Sequence, residues 1–68
     1  MTNSEMLEQT ISDSGIRRSY IMDKMGIKSY ATLRAKISNK SDFTASEIDI
    51  LCEILHLNLR QRNAIFFA

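Results

Sequence analysis

The sequence contains no proline, and only two of its 68 residues are glycine. Proline and glycine supply much of the backbone geometry that the tight turns of sheet proteins require. Few stretches alternate cleanly between apolar and polar residues, as half-buried strands do. The apolar fraction of 44% is ordinary for a globular chain and too high for a disordered one. The sequence therefore predicts a single all-helical domain spanning residues 1–68.

Cysteine is scarce as well. Cys52 is the only one, so the chain can form neither an internal disulfide nor a thiolate-based zinc cluster. Because Leu51 and Leu55 accompany it, we expect Cys52 to be a small buried apolar group rather than a reactive thiol.

Long apolar runs are missing. No N-terminal run resembles a signal peptide, and no segment approaches the roughly 20 apolar residues of a membrane span. We expect a soluble, cytoplasmic protein with no membrane partner.

The residues of enzyme sites are also poorly represented. His56 is the only histidine, and no glycine-rich loop that could hold a phosphate is present. Cys52 lies one helical turn before His56, but no second pair of metal ligands exists. We therefore predict no catalytic residue, metal, cofactor or small-molecule substrate.

Apolar spacing and capping signals predict five short helices. The first should span about residues 3–14, and the second about residues 17–25, followed by a turn at Gly26. The third should carry Leu33 and Ile37 on its buried face, one turn apart. The fourth and fifth should follow capping boxes and be joined to their neighbours by short loops. The predicted N-caps of the first, third, fourth and fifth helices are Thr2, Ser29, Thr44 and Asn58.

Charge is divided unevenly along the chain. Residues 16–40 hold one acid, Asp23, and seven basic residues: Arg17, Arg18, Lys24, Lys28, Arg34, Lys36 and Lys40. This segment carries +6, whereas the rest of the chain sets seven acids against Arg60 and Arg62 and carries −5. The net charge of +1 conceals the division. Such a charge dipole predicts one face that meets an anionic polymer, and DNA is the first candidate.

The same segment resembles a known family. Residues Ile16–Ile27, followed by Leu33 and Ile37, are similar to the helix-turn-helix of the Cro/repressor family. Phe43–Ile48 and Ile65–Phe67 resemble the corresponding parts of small regulators from phages of Gram-positive bacteria. The resemblance covers nearly the whole chain, although Leu33 follows the turn glycine by one residue more than is common in the family.

This resemblance implies a compact bundle of five short helices with a lambda-repressor-like fold and a helix-turn-helix at about residues 16–37. It also implies a transcriptional regulator that binds a double-stranded DNA operator as a homodimer in the cytoplasm of a bacterial host. Regulation would then occur by operator occlusion, with no cofactor.

Positions that match the family's site can be named in this sequence. The resemblance implies that bases are read by Ser29, Tyr30, Ala31, Thr32 and Arg34. It implies phosphate contacts by Arg17, Arg18, Lys28, Lys36, Asn39 and Lys40. Arg34 is the most informative, because a guanidinium can pair with guanine through two hydrogen bonds. Tyr30 has an alternative interpretation as a partly buried aromatic that packs on the second helix.

The basic pair at the start of the second helix supports DNA binding on physical grounds. Arg17 and Arg18 oppose the helix macrodipole there, which is unfavourable unless an anion is bound. Solvated surface charge is the alternative interpretation.

Two further alternatives remain open. The C-terminal apolar residues Leu59, Ile65, Phe66 and Phe67 either fill the core or form an oligomer interface. The scaffold could also act as a modulator or antirepressor that binds a phage repressor protein. The near-neutral net charge favours this second role, since many autonomous DNA-binding proteins are more basic.

Overall fold

The computed structural model describes all of residues 1–68 and contains five α-helices and no strand. The helices are α1 (Ser4–Ser14), α2 (Arg18–Met25), α3 (Tyr30–Ile37), α4 (Ala45–Ile54) and α5 (Leu59–Phe66). The prediction of an all-helical chain with five short helices is confirmed. No helix combines the length and the apolar character that crossing a bilayer would require.

The last two helices begin at the predicted capping boxes. Thr44 Oγ1 accepts a hydrogen bond from the Glu47 backbone N–H at 3.1 Å, and Glu47 Oε1 accepts one from the Thr44 N–H at 2.8 Å. Asn58 and Gln61 make the same reciprocal pair at the start of α5, with both distances 2.8 Å. These side chains satisfy amides that the first turn of a helix leaves without partners.

The predicted cap of α1 is wrong by one residue. Asn3, not Thr2, is the N-cap, and its Oδ1 accepts from the Met6 N–H at 3.1 Å. Thr2 is instead nearly buried, and its backbone N–H donates to Asn39 Oδ1 at 2.9 Å. Ser29 does precede α3 as predicted, but its side chain makes no capping hydrogen bond.

A left-handed residue follows four helices, α1 at Gly15 included, and in three of them it forms the same backbone motif. That residue is Gly26 after α2, Asn39 after α3 and His56 after α4, with φ of 71°, 68° and 54°. In each case its N–H, and that of the next residue, donate back to carbonyls of the last turn. This motif stops each helix sharply and lets the chain reverse within a few residues.

The core is built from one apolar stripe of each helix. Its nine buried apolar residues are Leu7, Ile11, Ile21, Leu33, Ile37, Leu51, Leu55, Ile65 and Phe66. α1 packs against α3 and α5, and α2 packs against α4. The Cα radius of gyration is 10.7 Å, close to the roughly 11 Å expected of a compact chain of this length.

The C-terminal apolar cluster is divided between core and surface. Ile65 and Phe66 are buried, and the Phe66 ring meets Phe43 edge-on with centroids 5.6 Å apart. Leu59 and Phe67 are 65% and 59% exposed. Of the four residues named for an oligomer interface, only these two present large apolar surface.

Candidate nucleic-acid interface

The connection between α2 and α3 is a short, hydrogen-bonded turn of four residues, 26–29. The Gly26 N–H donates to the Asp23 carbonyl at 3.2 Å, and the Ile27 N–H donates to the Met22 carbonyl at 2.9 Å. Ile27 is half-buried and packs against the core. Gly26, the predicted turn residue, has a positive φ, a conformation in which a side chain would be strained.

Two buried side chains anchor α2 and α3 to the hydrophobic core. Ile21 on α2 and Leu33 on α3 are both completely inaccessible to solvent. Ile37 buries the last turn of α3 one helical turn further on. Elsewhere on α3, Ala35 and Lys36 are half-buried and the remaining residues are exposed.

The residues that were predicted to read bases lie on α3 or, for Ser29, immediately before it. Ser29, Tyr30, Ala31, Thr32 and Arg34 are all exposed. Tyr30 keeps 49% of its surface exposed. Arg34 carries no ion pair, because the structure contains only two and neither includes it.

Five of the seven cations in residues 16–40 are exposed and have no carboxylate partner: Arg17, Lys24, Lys28, Arg34 and Lys40. Arg17 immediately precedes α2, as its N-cap residue, and its side chain makes no capping hydrogen bond. Lys28 lies in the turn before α3, and Lys40 follows the end of α3. In the sequence, unpaired cations therefore lie before α3, within it and after it.

The remaining two cations are engaged within the molecule. Arg18 Nη1 donates to Glu8 Oε1 on α1 at 2.8 Å. Lys36 Nζ lies 3.1 Å from Glu47 Oε1 on α4 and donates to the Asp42 carbonyl at 3.0 Å. The Lys36 and Glu47 side chains are only 15% and 14% exposed. Both residues named as phosphate contacts thus already have anionic partners.

Asn39, also named as a phosphate contact, has intramolecular partners too. Its side-chain amide pairs with both backbone groups of Thr2, accepting from the N–H at 2.9 Å and donating to the carbonyl at 2.8 Å. Ser4 Oγ donates to the Ile37 carbonyl beside it. These bonds attach the N-terminal segment to the end of α3.

The environment of Glu47 changes its acidity. Burial alone would raise the pKa of this carboxyl, but the Thr44 N–H and the Lys36 ammonium act in the opposite direction and prevail. The pKa of Glu47 is therefore lowered from its ordinary value. Glu47 is ionised at neutral pH and can hold Lys36 in place.

Cys52 lies in the last turn of α4, and His56 lies just beyond the end of that helix. Cys52 is half-buried against the core, and burial raises the pKa of its thiol despite the nearby positive charge of Arg62. A thiol of this kind stays protonated at neutral pH and is a poor nucleophile. His56 is exposed and occupies the left-handed position after α4.

Sequence reasoning did not identify the partners that Lys36 and Asn39 use. Glu47 lies in the predicted capping box of α4, and its carboxylate serves the cap and Lys36 at once. Asn39 follows the last apolar residue of α3 by two positions, where asparagine often adopts a left-handed conformation. That signal could have marked the end of the helix, but not the contact with Thr2.

Comparison of the chain with protein-family models, curated proteins and solved structures finds no match, so its resemblance to the Cro/repressor family rests on its own residues.

Proposed function

We propose that this chain is a sequence-specific DNA-binding transcriptional regulator of the Cro/repressor type, in which α2, the turn and α3 form a helix-turn-helix. One observation carries the proposal: Arg34 and three further residues of α3 are exposed, as is Ser29 before it, and unpaired cations precede and follow the helix. Each of the two ion pairs uses one cation of residues 16–40, so five of the seven cations there have no carboxylate partner. An unneutralised cluster of this kind attracts a polyanion.

The dimensions of α3 suit the major groove. A helix with its side chains is about 10–12 Å across, and the groove of B-DNA is about 12 Å wide. In this arrangement Arg34 pairs with a guanine edge, while the small side chains of Ser29, Ala31 and Thr32 let the helix approach the bases closely. Leu33 and Ile37 anchor the opposite face, so the helix enters the groove as part of a rigid body.

Phosphate contacts fix the position of α3 on the duplex. Arg17 stands where the N-terminal amides of α2 also favour an anion. Lys28 and Lys40 contact the backbone at the two ends of α3. Two copies bound to a two-fold operator then cover enough DNA to exclude polymerase from an overlapping promoter.

The proposal is tested by selecting fragments of the source genome with the purified, folded protein at physiological salt and sequencing the bound pool. Enrichment of one short palindromic site is expected, and its two half-sites should lie about one helical turn apart. If folded protein enriches no sequence over input, sequence-specific DNA binding is rejected.

A second candidate function is that of a modulator that binds a repressor protein. One observation favours it: Arg18 and Lys36 form ion pairs within the molecule, and Asn39 is hydrogen-bonded to Thr2. Three of the predicted phosphate contacts therefore already have partners. Binding to a repressor protein would persist at high salt if apolar contacts dominate, whereas DNA binding would weaken steeply.

A further inference from the structure

α2 and α4 border a shallow groove of about 820 Å³ that the proposed DNA contacts leave largely unused. The α2 side is formed by Ile16, Arg17, Tyr20 and Lys24. The α4 side is formed by Ile50, Glu53 and Ile54, with His56 just beyond the helix end.

The floor of this groove is apolar and incompletely covered. Ile16, Ile50 and Ile54 are all half-buried, and Ile50 and Ile54 lie one turn apart on α4. Ile50 does not belong to the set of side chains packed against the core. Tyr20 on the opposite side is 50% exposed. The groove therefore exposes apolar side chains at a spacing that matches successive turns of a helix.

The two sides of the groove differ in charge. Arg17 and Lys24 are exposed and have no ion pair, and Lys24 Nζ lies 5.5 Å from the centre of the Tyr20 ring. Glu53 on the α4 side is exposed and unpaired. A ligand that fits must place acidic groups toward α2 and apolar groups on the floor.

We propose that this groove binds an amphipathic helix of a partner protein, with one apolar residue per turn and acidic residues along the edge that faces Arg17 and Lys24. Apolar anchors at this spacing lie over Ile50 and Ile54, and carboxylates pair with the two cations. Tyr20 supplies a flat aromatic contact between them, a residue type enriched at binding surfaces.

A second copy of the chain does not offer such a helix. Its exposed apolar residues near the C-terminus, Leu59 on α5 and Phe67 just after it, are accompanied by Arg60 and Arg62, whose charge repels Arg17 and Lys24. On α1, the most acidic helix outside the groove, Leu7 and Ile11 are buried, which leaves Met6 as its one exposed large apolar residue rather than one per turn. The charge pattern therefore favours a partner of different sequence.

Arg17 belongs both to this groove and to the predicted phosphate contacts. A helix that pairs with Arg17 competes with DNA for it, so the partner would weaken DNA binding. This competition between the partner helix and DNA rests on the proposed function, whereas binding of the helix to the groove does not.

The test uses a displayed library of 16-residue alanine-based helices, with Leu, Glu, Lys and Ala randomised over one face, selected on the full chain without DNA. The groove variant combines Tyr20→Ala with Lys24→Glu. A matched control combines Tyr30→Ala with Lys28→Glu, which removes an equally exposed tyrosine and reverses an exposed lysine outside the groove. Circular dichroism and sedimentation establish the fold and the mass of each protein.

Selected helices are expected to carry Leu at helical spacing with Glu on one edge. Their affinity should fall about tenfold or more for the groove variant and remain unchanged for the control. Absence of enrichment, enrichment without acidic bias, or equal loss in both variants overturns the proposal. So does a dimer that dissociates only in the groove variant, since a second copy would then fill the groove. Competition between a selected helix and duplex DNA is measured separately, and failure there alone rejects only that competition.

Discussion

At the scale of single residues, Asn39 combines two roles that its short amide side chain makes compatible. Its backbone is left-handed, with φ of 68°, and ends α3. Its side-chain amide accepts a hydrogen bond from the Thr2 N–H and donates one to the Thr2 carbonyl. Asparagine tolerates this conformation better than most residues, because its amide can hydrogen-bond locally.

We expect Asn39→Ala to lower the free energy of unfolding by about 2–3 kcal/mol, because it loses the bonds to Thr2 and retains a strained backbone. Asn39→Gly relaxes the backbone and loses only the bonds, so its loss should be smaller. Urea unfolding followed by circular dichroism measures both. Equal losses in the two variants would show that the left-handed conformation costs the alanine nothing.

Arg34 is the residue on which sequence discrimination should depend most. We expect Arg34→Ala to weaken binding to the selected site by about 1–3 kcal/mol and binding to random duplex much less, since a guanidinium paired with guanine reads sequence. Fluorescence anisotropy on both duplexes measures the difference. Arg60→Ala is the control, because Arg60 is exposed and lies outside the basic segment. Equal losses on both duplexes would assign Arg34 to the phosphates.

At the scale of helices, the ion pair between Lys36 and Glu47 joins α3 to α4. The pair is largely shielded from water, and the same carboxylate caps α4. One side chain therefore fixes both the start of α4 and its position relative to the last turn of α3.

This pair should make stability depend on pH. Because the pKa of Glu47 is lowered in the folded chain, its contribution is present at neutral pH and is lost as the pH falls through the acidic carboxyl range. Glu47→Gln keeps an acceptor for the Thr44 N–H and removes the charge. We expect it to cost about 1–2 kcal/mol at pH 7 and to flatten the acid decline.

Denaturant unfolding between pH 7 and pH 3 compares Glu47→Gln with the parent chain. Asp49→Gln is the control, since Asp49 is exposed on the same helix and has no ion pair. Parallel pH profiles for the parent and Glu47→Gln would contradict a role for the ion pair.

At the scale of the whole molecule, folding neutralises part of the positive charge that is concentrated in residues 16–40. Arg18 and Lys36 each join the basic segment to an acid of the remaining chain. The cations that stay available for a polyanion are fewer than the count along the chain implies. Salt dependence is the property that reports how many of them a ligand uses.

We expect the logarithm of DNA affinity to fall with the logarithm of salt concentration with a slope of about −5 for two bound copies, if Arg17, Lys28 and Lys40 of each contact phosphate. Arg17→Ala should make the slope shallower by about two and weaken specific and random binding alike. Anisotropy titrations between about 50 and 200 mM salt measure it. A slope near zero would exclude a phosphate-based interface.

Local signals in the sequence predicted the helices well. The capping boxes at Thr44 and Asn58, the turn at Gly26 and the apolar pair Leu33 and Ile37 all depend on residues within a turn or two of each other. Such interactions are already determined by spacing, so the helical class and most boundaries followed from the sequence. The cap of α1 was misassigned by one residue: Asn3 caps the helix, while the backbone of Thr2 binds Asn39, 37 positions away.

The sequence by itself determined where the helices lie, which stripe of each is apolar and where the charge is concentrated. Only the tertiary structure decided which cations remain unpaired, that Asn39 holds the N-terminal segment, and that Ile65 and Phe66 are buried while Leu59 and Phe67 are not. It also created the groove between α2 and α4. The physical reason is that these properties depend on distances between side chains on different helices, which packing sets and periodicity does not encode.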